Sequence, residues 1–196
     1  MKYAVFSPRS LLTMTWWQTE RYKDKDAIIC DGSIRSSKTV SMSIGFILWS
    51  CSCFNGKTFA ICGKTIESLR RNVITQLPTL FEGLCKITER KSENLMVVSL
   101  DGRVNKYYLF GGKDEGSAAL IQGMTLAGVM FDEVALMPRS FVEQALARCS
   151  VEEAKFWFNC NPEHPQHWFY QEWILKTKQK QALYLHFTMV YYHEEV

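Results

Sequence analysis

The stretch Ala27-Ile28-Ile29-Cys30-Asp31-Gly32-Ser33-Ile34-Arg35-Ser36-Ser37-Lys38-Thr39 decides how the rest of the chain is read. Its opening apolar run predicts a buried strand over 27–30 that passes into a Gly-containing turn. From Lys38 to about Trp49, the residues Val40, Ile44, Ile47 and Leu48 recur at helical spacing. Strand, turn and helix in that order carry the phosphate-binding pattern G-x-x-x-x-G-K-[ST] at Gly32, Lys38 and Thr39. The layout suits a triphosphate. Backbone N–H groups of Gly32, Ser33, Ile34, Arg35, Ser36 and Ser37 and the positive end of the helix surround the anion. Lys38 is then expected to reach the β- and γ-phosphates, and the Thr39 hydroxyl to ligate Mg²⁺. Ser37 stands where Gly is usual, so a positive φ there would cost energy and a negative one would not. An ordinary strand–helix turn with a solvated lysine is the plainer explanation of the same string.

A second string weighs against that plainer explanation. Gly128-Val129-Met130-Phe131-Asp132-Glu133 is an apolar strand ending in adjacent carboxylates. Alternation along a strand sends the two acids to opposite sides. Asp132 is thereby suited to hold Mg²⁺, and Glu133 to orient and deprotonate an attacking water. A third string, Phe156-Trp157-Phe158-Asn159-Cys160-Asn161-Pro162, ends an apolar strand in polar side chains, where ligand sites of parallel sheets lie. An Asn at that edge, Asn161 in particular, is placed to sense a γ-phosphate, although Asn-Pro turns are common. Arg35 within the loop either lies over the phosphates or pairs with a nearby acid. Trp16-Trp17-Gln18 offers an aromatic plane and an amide for an adenine ring, or else two tryptophans for the core. Gly63-Lys64-Thr65 follows another strand but lacks the upstream Gly of a phosphate loop.

The remaining elements alternate. Strands are predicted over 58–62, 126–131, 155–160 and 182–187, and helical segments over 65–77 (broken near Pro78), 115–121, 140–149 (after Pro138) and 167–176. The runs 95–100 and 104–110 flank Asp101-Gly102 and read as a hairpin closed by Gly111-Gly112. The expected fold is α/β: a P-loop NTPase with a mainly parallel central sheet flanked by helices, plus an antiparallel hairpin, in one domain over 1–196.

A composition of 47% hydrophobic and 22% charged residues excludes intrinsic disorder. Apolar stretches break within about ten residues, so no transmembrane span fits. The start, Met1 to Arg9, lacks the apolar centre of a signal peptide, which predicts work in a cytoplasm. The net charge of +3 hides an asymmetry: residues 1–113 carry 17 Lys/Arg against 9 Asp/Glu, and 114–196 carry 6 against 11. Lys57, Lys64, Arg70, Arg71, Arg90, Lys91, Arg103 and Lys106 form the basic region, read either as phosphate-backbone contacts or as a solvated face. The seven cysteines (30, 51, 53, 62, 85, 149, 160) lack zinc spacing and read as reduced core thiols. The histidines at 164, 167, 186 and 193 read as structural.

Taken together, Asp31 through Thr39, the run Gly128-Val129-Met130-Phe131-Asp132-Glu133-Val134-Ala135-Leu136-Met137-Pro138 and Phe158-Asn159-Cys160-Asn161-Pro162 resemble large terminase subunits of tailed bacteriophages, closest in look to the PBSX-like group. Cys62 through Thr65, Arg70 through Ile74 and Leu120-Ile121-Gln122-Gly123 also look like that group, and the resemblance runs from about Phe6 to Met189. It implies an ATPase motor domain that hydrolyses ATP with Mg²⁺ to pump double-stranded viral DNA into a procapsid in the host bacterial cytoplasm. Lys38 and Thr39 match the family's phosphate loop and Arg35 its loop arginine acting in cis. Asp132 and Glu133 match the acidic pair, 159–162 the coupling motif, and Gln18, loosely, the adenine-contacting residue. The implied partners are the DNA, a small terminase subunit and a portal protein, with a homo-oligomeric ring on the portal. Family members continue into an RNase H-like nuclease domain, whereas this chain stops at Val196, so no nuclease activity is expected from it. Ser37 and the shortness motivate an alternative, a truncated prophage remnant that binds nucleotide or DNA without turnover. A helicase-like DNA ATPase is a third possibility, for which a second motor domain would be expected.

Overall fold

Strand β1 (Ala27–Gly32) is buried along its whole length. Its residues alternate between two apolar layers, Ile28 and Cys30 facing one and Ala27 and Ile29 the other. A strand dry on both faces needs helices above and below and neighbours on both edges. The computed structural model, which describes residues 6–33, 36–161 and 164–188, supplies all of them. β1 pairs in parallel with β7 (Lys155–Asn159) on one edge and with β8 (Ala182–Phe187) on the other. Beyond β7 come β6 (Gly128–Phe131), β2 (Thr58–Gly63) and β5 (Arg103–Gly111), all parallel. β4 (Leu95–Leu100) and β3 (Lys86–Arg90) extend that side antiparallel, giving an eight-stranded sheet in the order β3-β4-β5-β2-β6-β7-β1-β8.

Helices α1 (Pro8–Thr15) and α2 (Lys38–Cys53) cover one face. There Phe46, Trp49 and Trp16 pack with Phe59 and Trp157 of the sheet, mostly edge to face. Each such side chain contributes about 1.5–3 kcal/mol or more by burial. Helices α3 (Ile66–Asn72) and α4 (Leu77–Leu80) seat Leu69 and Leu77 in the same layer. On the opposite face, α5 (Arg139–Ala147) buries Phe141 and Val142, while Phe169 and Trp173 pack against Phe158. Among the described residues no helix is long and apolar enough to cross a membrane.

The predicted α/β sheet with its hairpin is the one found, and the differences have local causes. The expected helix over 65–77 splits at Val73 into α3, a 3₁₀ turn (Ile74–Gln76) and α4. Pro78 lies in the first turn of α4, where its missing N–H is harmless, so it starts a helix there. The stretch Glu115–Ile121 is 3₁₀, and the predicted helix over 167–176 opens into a π-helical turn at Tyr170–Ile174. Helix α1, capped by the Ser7 hydroxyl on the Ser10 N–H, and strand β3 went unread in the sequence.

Gly128 at the foot of β6 is fixed by its neighbour across the layer. A Cβ there would lie 2.5 Å from Trp49 Cη2 and 2.9 Å from the Lys155 carbonyl oxygen. Gly128→Ala is therefore expected to destabilise the fold by about 1–3 kcal/mol in urea unfolding, as overpacked cores do.

Candidate functional site

The strand order puts β7 between β1 and β6, so three strand tips converge at one edge of the sheet. From the first tip the chain leaves β1 through Gly32, whose φ is +117°. A side chain at Gly32 would run into the carbonyl oxygen of Phe187 on β8, so only glycine fits this exit. Ser33 N–H donates to that same Phe187 oxygen at 3.0 Å. Ser36 Oγ donates to Ser33 O at 2.7 Å, and the Ser37 carbonyl accepts the first helical bond, from Ser41 N–H. Ile34 and Arg35, both expected in the site, lie outside the described residues, as does Pro162 of the third string.

Ser37 has φ +65° and ψ +8°, the left-handed conformation for which glycine is usually chosen. The backbone at position 37 thus takes the conformation glycine favours, and the serine bears its strain, about 1 kcal/mol. Lys38 curls back over the loop, its Nζ donating to Gly32 O and Ser33 O at 2.7 Å each and to Ser36 Oγ at 3.3 Å. Burial pulls its pKa down, against the nearby Cys160, Asp31, Cys30 and Glu133.

The other two tips meet at Thr39. Asn159, the last residue of β7, donates from Nδ2 to Thr39 Oγ1 at 2.8 Å and to Asp132 Oδ1 at 2.7 Å. Thr39 Oγ1 in turn donates to Asp132 Oδ1 at 3.3 Å. Asp132 is 4% exposed, and its backbone N–H is held by Cys62 O of β2. Burial raises its pKa, opposed by Asn159, Thr39, Asn72 and Lys38. Glu133 follows at φ +58°, a second non-glycine residue in the left-handed region. Its carboxyl also titrates higher than usual, from burial first and then from Asp132, with Lys64 and Lys38 pulling the other way.

A cleft of about 360 Å³ opens over these groups, lined by Ser36 to Val40, by Glu133, Ala135 and Leu136, and by Asn159 to Asn161. The structure therefore brings together Gly32, Ser33, Ser36, Ser37, Lys38, Thr39, Asp132 and Glu133. Asn161 sits at the exposed rim, and the Asn at the centre of the site is Asn159. Gln18 stands exposed at the end of the turn Trp16–Gln18 and is not among the residues lining the cleft. Trp16 is fully buried in the core. Asn72, beside Asp132, falls in the stretch 70–74 that resembles the family, but its approach to the acid depends on how α3 packs and not on local spacing.

The basic region does not form one face. Arg70 is engaged by Glu89, Lys91 O and Asn94, and Arg103 by the carbonyls of Cys51 and Ser52. Lys57 and Lys106 lie where β2 begins, at the opposite end of the strand from the cleft, whereas Lys64 follows its tip. Among the described residues no group of three or more His, Cys, Asp and Glu has the arrangement of a metal site. The described histidines make local or strand contacts, such as His164 Nδ1 with Gln166 N–H and His167 Nδ1 with Phe169 N–H. His193 lies outside the described residues.

Because Ser37 carries the strain glycine would avoid, Ser37→Gly is expected to raise stability by about 0.5–1 kcal/mol. Thermal melts of the two proteins check this, and a lowered Tm would mean that the serine makes a compensating contact.

Comparison with known proteins identifies the fold and the family. The family described as "Terminase large subunit, T4likevirus-type, N-terminal" matches residues 29–193. The solved large terminase of a thermophilic bacteriophage is 51% identical with a TM-score of 0.91, over 95% of this chain and 46% of that one. The complex of that terminase with ADP is 50% identical with a TM-score of 0.90, over 93% of this chain and 46% of that one. The large terminase ATPase domain of Thermus phage P74-26, at 14% identity and a TM-score of 0.66 over 94% of this chain and 81% of that one, shares the fold. Comparison with curated proteins gives no match. This chain spans less than half the length of the thermophilic phage terminase it matches. Family match and close structural similarity together make this chain a member of the large terminase family, corresponding to its N-terminal part.

Proposed function

We propose that the chain is the ATP-hydrolysing motor part of a phage large terminase, working with Mg²⁺ to move double-stranded DNA into procapsids. The observation that carries this reading is the contact of Asn159 with both Thr39 and Asp132, through which loop, acid strand and polar strand tip share one set of hydrogen bonds. The thermophilic phage terminase forms complexes with ADP and with ATP-γ-S, which supports an adenine nucleotide as the ligand of this chain.

The residues divide the work by their chemistry. Lys38 now satisfies its Nζ with neutral carbonyls; a triphosphate offers charged oxygens, which make hydrogen bonds roughly twice as strong. The Thr39 hydroxyl and the Asp132 carboxylate are hard oxygen donors, a set that fits Mg²⁺ together with phosphate oxygens and water. That ion, when bound, would supply charge neutralisation across the phosphates. Glu133 lines the cleft and would take the proton of the attacking water. Asn159 keeps Thr39 and Asp132 aligned, and Asn161 at the rim would register the γ-phosphate. Arg35 and Ile34 enter only through the family pattern. The grouping with PBSX-like phages, the DNA, small subunit and portal as partners, a ring of copies, the host cytoplasm, and nuclease chemistry residing outside this chain belong to the same reading. The stretch 1–196 is read as one motor domain.

Replacing the base separates binding from chemistry. Glu133→Gln is expected to bind ATP like the parent while kcat falls about 10²–10⁴-fold. Lys38→Ala is expected to lose binding. Titration with a fluorescent ATP and phosphate release in the presence of double-stranded DNA read the two. Full turnover by Glu133→Gln would sink the base assignment, and a parent that binds without hydrolysing would favour the inactive remnant.

A further inference from the structure

Asp31 enters the site above only through its charge near Lys38, yet it is a carboxylate 7% exposed at the last step before Gly32. Among the described residues its side-chain partners come from the edge strand. In the β1–β8 register Asp31 lies directly opposite His186. Oδ1 is 2.7 Å from His186 Nδ1, and Oδ2 accepts from the Tyr184 hydroxyl at 2.8 Å. Since an ionised carboxylate only accepts, the imidazole must carry its proton on Nδ1 in this pair. Burial and then Asp31 itself push the Tyr184 hydroxyl upward, so it remains a donor.

The location matters more than the bonds. Main-chain pairing already joins β1 to β8 from Ala27 to Gly32. An apolar pair would tie the two strands at less cost than a buried carboxylate. The charge sits instead where the strand becomes the loop. One residue on, Gly32 is pressed against Phe187, and Ser33 N–H bonds to Phe187 O. The carbonyls of Gly32 and Ser33 are the ones that hold Lys38 Nζ. Any slip of β1 against β8 at this point therefore moves both the loop backbone and the lysine it steers.

We propose that Asp31, Tyr184 and His186 form a positioning clamp through which β8 fixes the phosphate loop and so sets its affinity for nucleotide. The clamp rests on the nucleotide reading of the loop, and it places the control of affinity on a strand that does not line the cleft. His186 is half-exposed, so this control is open to the surroundings of β8.

The test is titration of the full chain with a fluorescent ADP, at a temperature where melts show every variant folded. His186→Phe, which cannot donate, is expected to weaken binding about tenfold, a shift worth about 1.4 kcal/mol. His186→Asn, with an amide donor near the position of Nδ1, is expected to restore most of it. Tyr184→Phe is expected to act in the same direction, and provides a reading should His186→Phe fail to fold. In an Asp31→Leu background, His186→Phe is expected to add nothing further. A purely structural role would lower Tm and leave the affinity alone. Affinities within twofold of the parent for both His186→Phe and Tyr184→Phe would overturn the clamp while leaving the nucleotide site standing. An equal loss in both Asp31 backgrounds would overturn it too. Absence of ADP binding by the parent would overturn the nucleotide reading itself, and the clamp with it.

Discussion

One amide nitrogen holds the site in register. Asn159 Nδ2 has two hydrogens, and it gives one to Thr39 and the other to Asp132. Those acceptors belong to elements far apart in the chain, the start of α2 and the tip of β6. They meet only because β7 is threaded between β1 and β6. Buried Asp132 would otherwise bear the full desolvation of its charge, and the hydrogen bonds from Asn159 and Thr39 offset part of that penalty. Strand order, burial and chemistry are thus three views of a single contact.

The electrostatics around this contact have a consistent direction. Lys38 is pulled toward its neutral form by burial, and Asp132 and Glu133 toward theirs. Burial is the largest cause in each case, and on the proposed reading a polyanion with a divalent cation would favour the charged form of all three groups. Local backbone strain points the same way. Among the described residues six non-glycine residues hold left-handed conformations: Asn94, Asp101, Glu153 and Gln181 sit in turns, while Ser37 and Glu133 line the cleft.

Much of this was legible in the sequence, and what was not has physical reasons. Apolar runs bounded by turns located β1, β2 and β4 to β8, since burial on both faces leaves little else that such runs can be. Strand β3 escaped because Lys86, Thr88 and Arg90 face solvent, which leaves it without the apolar signature of its neighbours. Helix α1 escaped for a related reason: of its eight residues only Ser10, Thr13 and Met14 are buried, two of them polar, so it lacks an apolar stripe. The acid pair and loop could be recognised as strings, because their spacing along the chain is itself the requirement. The choice of Asn159 over Asn161 as the central amide could not. That distinction depends on where β7 ends relative to β6, a register between strands that no local pattern encodes. Likewise, Arg70 and Arg103 look like free cations in one dimension and prove to be struts in three.

The exposed strand β3 has one further consequence. It is the outermost strand of the sheet on its side, and an unpaired edge invites the backbone of another chain. Of its alternating exposed residues, Lys86 and Arg90 charge that edge, and the ion pair of Glu89 with Arg70 braces it from within. Strand addition there would crowd two cations against the incoming backbone. Pairing of a second copy onto the β3 side of the sheet is thereby disfavoured, and a neighbour on that side would be met through side chains, contacts that can be made and released.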